Sequence, residues 1–301
     1  MSEILSNTER LAKKASQLRI SAITLAENMR GGNFKSLYRG QGIEFSDVRE
    51  YLHGDNVRSI DWNVTARMGR AFIKQYEEDR ELSVFLILDC SLSMESAFSR
   101  SKLEKAREAA AILLLASEQN SGAIGAVFFD GKIQFSCPPK TGRENSMLIL
   151  SKLDKIGSIP ENERKTGSVL PNAITGAAKL LKKRSLVFIL SDFRSAGWET
   201  PFARLSQKND VIAVKMTEPG DAELPEIGTL SFYDSESKKK SVFPTLSRRF
   251  RSEWERENQN RAEQWKDFCL RHGASPLLLS SEEDAALVFQ NFFRQKSRRL
   301  I

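Results

Sequence analysis

The chain has 301 residues, of which 40% are hydrophobic and 28% charged, and 46 basic against 39 acidic side chains leave a formal charge of +7. That composition excludes a wholly disordered chain and suits one large domain, or one domain with a substantial appendage. The charge allows an acidic partner without requiring one, and no apolar run reaches the roughly 20 residues of a bilayer-spanning helix.

In chain order, Leu11, Ala15, Leu18, Ala22, Leu25 and Met29 repeat at steps of four and three, predicting an amphipathic helix over 8–29 that stops at Gly31-Gly32. The same spacing over about three heptads would also serve a coiled-coil contact. Residues 34–80 are polar and aromatic, with turns at Gly40, Gly42, Gly54 and Gly69 and a possible strand at 71–76. Nothing there has the strand, glycine loop and helix setting of a phosphate loop.

From Ser83 onward, strand and helix patterns alternate. Residues 84–88 form a continuous apolar run, as a strand buried on both faces requires. A helix is expected over 101–118. Strands at 123–129 and 132–136 flank Asp130-Gly131, a strong hairpin signal. Helices follow near 144–155 and 170–183, with buried strands at 186–190 and 211–214. A second hairpin is expected from 229–233 and 241–243, then a charged helix over 246–271, a strand at 276–279 and a helix over 282–294. This pattern predicts an α/β fold: a doubly wound, mostly parallel sheet with helices on both faces, preceded by the N-terminal helix and the polar segment.

Three cysteines (Cys90, Cys137, Cys269) match no metal or redox spacing and fit reduced thiols, and two histidines (His53, His272) are too few for a histidine-rich metal site. The chemistry concentrates elsewhere. In FLILDCSLSM, residues 85–94, an apolar strand ends at Asp89, with Ser91 and Ser93 at alternate positions. Ligands of open α/β sheets bind beyond the carboxyl ends of strands. One carboxylate and two hydroxyls make an all-oxygen set suited to a hard divalent cation. A second oxygen cluster, Ser191 and Asp192, ends the strand LVFILSDF, and a third, Thr166-Gly167-Ser168, precedes a helix. The structural alternative is that these serines cap helices and Asp192 caps a turn.

Asp89-x-Ser91-x-Ser93, the Thr/Ser loop and Asp192 together resemble the metal-ion-dependent adhesion site of von Willebrand factor A domains, over residues 81–294. The segment GIEFSDVREYLHGDNVRSIDWNVTAR, residues 42–67, resembles the signature of the bacterial domain-of-unknown-function 58 family, whose members carry an A-type domain and are typically encoded beside MoxR-type AAA+ ATPases. Many of those relatives have membrane helices ahead of the signature; the soluble helix pattern at 8–29 replaces them here.

The resemblance implies residues 81–301 as the A-like domain, with residues 1–80 packed on it. It implies Mg2+, or another divalent cation such as Mn2+, held by Asp89, Ser91, Ser93, Ser168 and Asp192, with Thr166 as the alternative loop ligand. It also implies an exchangeable position for a partner's carboxylate, and so a non-enzymatic protein–protein interaction module working with a MoxR-type ATPase in client assembly or maturation. In the signature, Glu44, Arg49, Asp55, Arg58, Asp61 and Arg67 are expected to close salt bridges while Phe45, Tyr51 and Trp62 anchor it in the core; a partner-docking surface is the other use. The competing class is nucleic-acid binding through the basic surface, although basic and acidic residues are interspersed and no aromatic–basic module occurs. Without a signal-peptide core, the expected location is the cytoplasm.

Overall fold

The computed structural model describes residues 44–52, 55–77, 83–95, 101–120, 122–156, 169–224, 226, 228–234 and 239–298. The helix expected over 8–29 lies outside them. Strands β1 (Glu44–Glu50) and β2 (Phe72–Glu77) pair antiparallel, with a 3₁₀ turn (Val57–Ser59) and helix α1 (Trp62–Met68) between them. Asp61 caps α1 by accepting from the Asn63 and Val64 N–H groups, and Gly69 ends it at φ +69°, the left-handed geometry that suits a residue without Cβ. Arg49 donates two hydrogen bonds to Asp55, at 2.8 and 2.7 Å, and Lys74 pairs with Asp61 at 3.8 Å.

Trp62 corrects the sequence expectation. It is 68% exposed rather than a core anchor, and Leu52, Val57 and Met68 are exposed with it. The buried residue at the start of α1 is Asp61, whose carboxylate is held by the first-turn N–H groups and Lys74. Trp62 follows it on a seven-residue helix with no buried face.

The main sheet has six strands: β3 (Val84–Asp89), β4 (Ile124–Phe129), β5 (Ile133–Lys140), β6 (Leu186–Ser191), β7 (Asp210–Thr217) and β10 (Ser275–Ser280). Their order is β5-β4-β3-β6-β7-β10, all parallel except β5 on β4. Between β7 and β10 lies the hairpin of β8 (Thr229–Asp234) and β9 (Lys239–Pro244). The helices are α2 (Leu92–Glu95), α3 (Lys102–Gln119), α4 (Arg143–Lys155), α5 (Leu170–Leu180), α6 (Glu199–Lys208), α7 (Pro219–Ala222), α8 (Arg248–Arg271) and α9 (Ala285–Arg298). Helix α6 is absent from the sequence reading. Trp198, Phe202 and Leu205 are buried at i, i+4 and i+7, a helical spacing that spans only two turns.

The strand pleat divides the core. Val84, Leu86 and Leu88 pack on one side with residues of α3, α4 and α9, whereas Phe85 and Ile87 pack on the other with residues of α5, α6 and α8. All six residues of β3, β4 and β6 are buried, which is why these strands lack polar alternation. At the β4–β5 edge the backbones approach closely at Gly125. A Cβ there would lie 2.7 Å from Pro139 N and 2.8 Å from Cys137 O and Phe85 Cδ2.

Two substitutions separate the surface from the core. Trp62→Ala is expected to change unfolding free energy by less than about 0.5 kcal/mol, as exposed positions do. Gly125→Ala is expected to cost about 1–3 kcal/mol through overpacking against backbone atoms. Urea denaturation of both variants measures the difference; comparable losses would place Trp62 in a packed site.

Candidate metal site at the sheet switch point

The chain leaves β3 toward β4 and β5, then returns to the other side of β3 as β6, β7 and β10. The strand order therefore reverses between β3 and β6, and the carboxyl ends of those neighbours border the crevice where doubly wound sheets bind ligands. Asp89 ends β3, Ser191 ends β6 and Asp192 follows it.

These groups meet. Asp89 Oδ2 accepts a 2.6 Å hydrogen bond from Ser191 Oγ, and Asp89 Oδ1 accepts from the Ser91 N–H at 3.0 Å. Ser91 Oγ and Ser93 Oγ lie 3.0 Å apart. Asp192 Oδ1 accepts from the Arg194 N–H at 3.1 Å, so the turn-capping role is real, but it uses one oxygen only. Asp192 Oδ2 is buried without a hydrogen bond. Lys102 Nζ lies 3.5 Å from it and Arg194 Nε 3.9 Å. Ser168 and Thr166 lie outside the described residues. The next residue along, Val169, donates its N–H to the Asp130 carbonyl just beyond β4, so the end of that loop joins the same edge of the sheet.

The turn after β6 carries one unusual backbone angle. Phe193 adopts φ +55°, uncommon for a residue with a bulky side chain. Its ring is held among Trp198, Phe202 and Trp265, with centroids at 5.0, 6.5 and 5.4 Å, and its N–H donates to Ser191 Oγ. The aromatic cluster thus fixes the turn that presents Asp192.

Burial sets the electrostatics. It pushes the Asp89 carboxyl up to about 7, and the nearby Asp192 charge adds to the rise, against the hydrogen bonds from Ser191 and Ser91. Among the described residues no three His, Cys, Asp or Glu side chains cluster as a metal site. The donor set is instead two carboxylates and two serine hydroxyls, with one buried carboxylate oxygen that lacks a hydrogen bond. That set fits a hard, partly hydrated divalent cation such as Mg2+ or Mn2+. Cys90, between the ligand positions, is buried, as are the free thiols of Cys137 and Cys269; burial pushes the Cys269 thiol up to about 12. A groove of about 590 Å3 along β10, lined by Trp265, Leu277, Val288 and Phe292, includes none of these oxygen ligands.

Sequence reasoning brought together Asp89, Ser91, Ser93 and Asp192. It named Ser191 but missed its hydrogen bond to Asp89, and it missed Lys102. Parallel register could have found the first, since Ser191 ends β6 as Asp89 ends β3. No local signal marks the second.

Strand order and antiparallel edge define a doubly wound, mostly parallel α/β domain, the fold that the A-like resemblance implied. The chain belongs to the family described as Protein of unknown function DUF58, whose family model matches residues 47–264. It is 31% identical over 232 residues to uncharacterized protein Rv1480 of Mycobacterium tuberculosis (strain ATCC 25618 / H37Rv), covering 75% of this chain and 72% of that one. Uncharacterized protein Mb1516 of Mycobacterium bovis matches equally. A solved structure described as an aerotolerance-related membrane protein from Bacteroides fragilis NCTC 9343 superposes with a TM-score of 0.46 at 20% identity, covering 72% of this chain and 99% of that one. No helix among the described residues is long and apolar enough to cross a membrane.

The raised Asp89 carboxyl has a consequence for the metal-free protein. The folded state holds this proton more tightly than the unfolded chain, whose carboxyl titrates near 3.8. The stability it contributes is complete below that value and is lost as pH rises through about 7. In chelator, the melting temperature is expected to fall across this window, and Asp89→Asn to flatten the slope. An equal slope in both proteins would assign it to other groups.

Proposed function

We propose that this chain is a non-enzymatic interaction module that holds a divalent cation, Mg2+ or Mn2+, on Asp89, Ser91, Ser93 and Asp192, with Ser168 or Thr166 as the further loop ligand. The observation that carries the reading is the pairing of two buried carboxylates with two adjacent hydroxyls at the switch point. A bound divalent cation would supply a positive charge with few anionic ligands, suited to a carboxylate from outside. Asp89 and Asp192 would hold it, at least partly through water, and Ser91 and Ser93 would ligate it directly. Ser191 orients Asp89, and the Phe193 turn orients Asp192.

The partner in this reading is a protein offering an Asp or Glu, with a MoxR-type AAA+ ATPase as the expected associate and client assembly or maturation as the task. In this reading residues 1–80 act as an adjunct to the A-like domain of 81–301, and the protein works in the cytoplasm. The exposed Leu52, Val57, Trp62 and Met68 favour partner docking as the use of the signature segment. Nucleic-acid binding is the weaker alternative, since Arg49, Lys74, Arg184 and Arg194 are paired with carboxylates rather than massed as a basic face.

Calorimetric titration with Mg2+ or Mn2+ is expected to show binding that Asp89→Asn abolishes while far-ultraviolet circular dichroism stays unchanged. Equal affinity in both proteins would remove the metal reading. Binding to the ATPase is expected to weaken in EDTA, and also with Ser91→Ala plus Ser93→Ala. Undiminished binding in EDTA would move docking to another surface, with residues 52–68 the first to test.

A further inference from the structure

Lys102 is the first residue of α3, after the capping Ser101, and its side chain is fully buried. Charged side chains are almost never wholly buried unless something compensates them. Lys102 Nζ makes no hydrogen bond, and its charge partner is Asp192 Oδ2 at 3.5 Å, which also makes none. Arg194, more than half exposed, reaches the same oxygen at 3.9 Å while engaging Asp221 at 2.5 Å. Lys215, next to Ser191 in the sheet register, also feels the charges of Asp192 and Asp221. Asp192 and Asp221 are thus faced by Lys102, Arg194 and Lys215, and Arg261 adds its charge beside Lys215.

We infer that the Lys102 ammonium is a tethered counter-ion of the switch-point carboxylates, an internal cation that holds Asp192 when no metal is bound and lowers the site's affinity for a divalent cation. This inference rests on the metal reading above and deepens it to the regulation of that site. An ion pair so loosely made does not satisfy either group's hydrogen-bonding capacity, so the pair is held by charge rather than by geometry. A divalent ion entering beside a buried ammonium meets like-charge repulsion that a low-dielectric surrounding enhances. The site then favours occupation when a further carboxylate arrives with the partner, because that negative charge offsets the excess. Lys102 would in this way couple metal retention to docking.

The test is a Mn2+ titration read by loss of the free-ion electron paramagnetic resonance signal, with melting temperatures in EDTA and in Mg2+. Wild type, Lys102→Met, Lys102→Gln and Lys102→Arg are compared. Lys102→Met and Lys102→Gln are expected to bind Mn2+ roughly tenfold or more tightly than wild type, the size of one close like charge removed. Lys102→Arg, which keeps the charge, is expected to stay near wild type. Lys102→Met is also expected to melt lower in EDTA and to regain more from Mg2+ than wild type does, since removing one partner leaves Asp192 uncompensated. Lys102→Gln, whose amide can donate to Asp192, keeps the comparison valid if the methionine variant folds poorly. Binding by the Met or Gln variant but not by wild type supports the inference. Wild-type binding with unchanged or weaker affinity in both neutral variants overturns it and leaves the metal reading standing. Absence of binding in every protein, wild type included, overturns both.

Discussion

Everything at the crevice depends on β3 being covered on both faces. A strand with Val84, Leu86 and Leu88 in one half of the core and Phe85 and Ile87 in the other must be central, with parallel neighbours on each side. Once β3 is central, the residue that ends it arrives at the reversal of strand order with almost no solvent around it. Asp89 is there, 1% exposed, and a carboxylate so placed demands donors. Ser191 supplies one from the next strand and the Ser91 amide another. The same apolar packing that stabilises the sheet therefore creates the unsolvated carboxyl from which the site is built.

The second carboxylate is held differently. Asp192 lies just past its strand, on a turn whose left-handed Phe193 is clamped by Trp198, Phe202 and Trp265. Its position depends on α6, the next helix along the chain, and on α8, which is distant in sequence, and its free oxygen faces a lysine from α3. Asp89 is thus fixed mainly by the sheet and Asp192 by the helical layers. The crevice between them joins the two halves of the doubly wound topology.

The signature segment shows how a dense polar motif can satisfy its charges locally. Its charges are spent locally, Arg49 on Asp55 and Lys74 on Asp61, and the Asp61 carboxylate also caps α1. Those demands are met inside the β1–β2 ribbon, where Ile73 is buried while other apolar residues are not. Leu52, Val57, Trp62 and Met68 stand exposed.

The sequence by itself determined the strand–helix alternation, because continuous apolar runs such as 84–88 and 186–190 have no place but the middle of a sheet. It also placed Asp89, Ser91, Ser93 and Asp192 at strand ends, since those positions follow directly from where the runs stop. Local pattern misjudged Trp62, because an aromatic side chain reads as apolar whether or not a partner surface reaches it. It did not reveal α6, whose helical spacing covers only Trp198, Phe202 and Leu205. Only the tertiary structure decided that Ser191 donates to Asp89 and that Lys102, ten residues beyond Leu92 and fully buried, pairs with Asp192. The physical reason is that charge pairing between separate layers is set by the distance at which α3 packs on the sheet, and no periodicity along the chain encodes that distance.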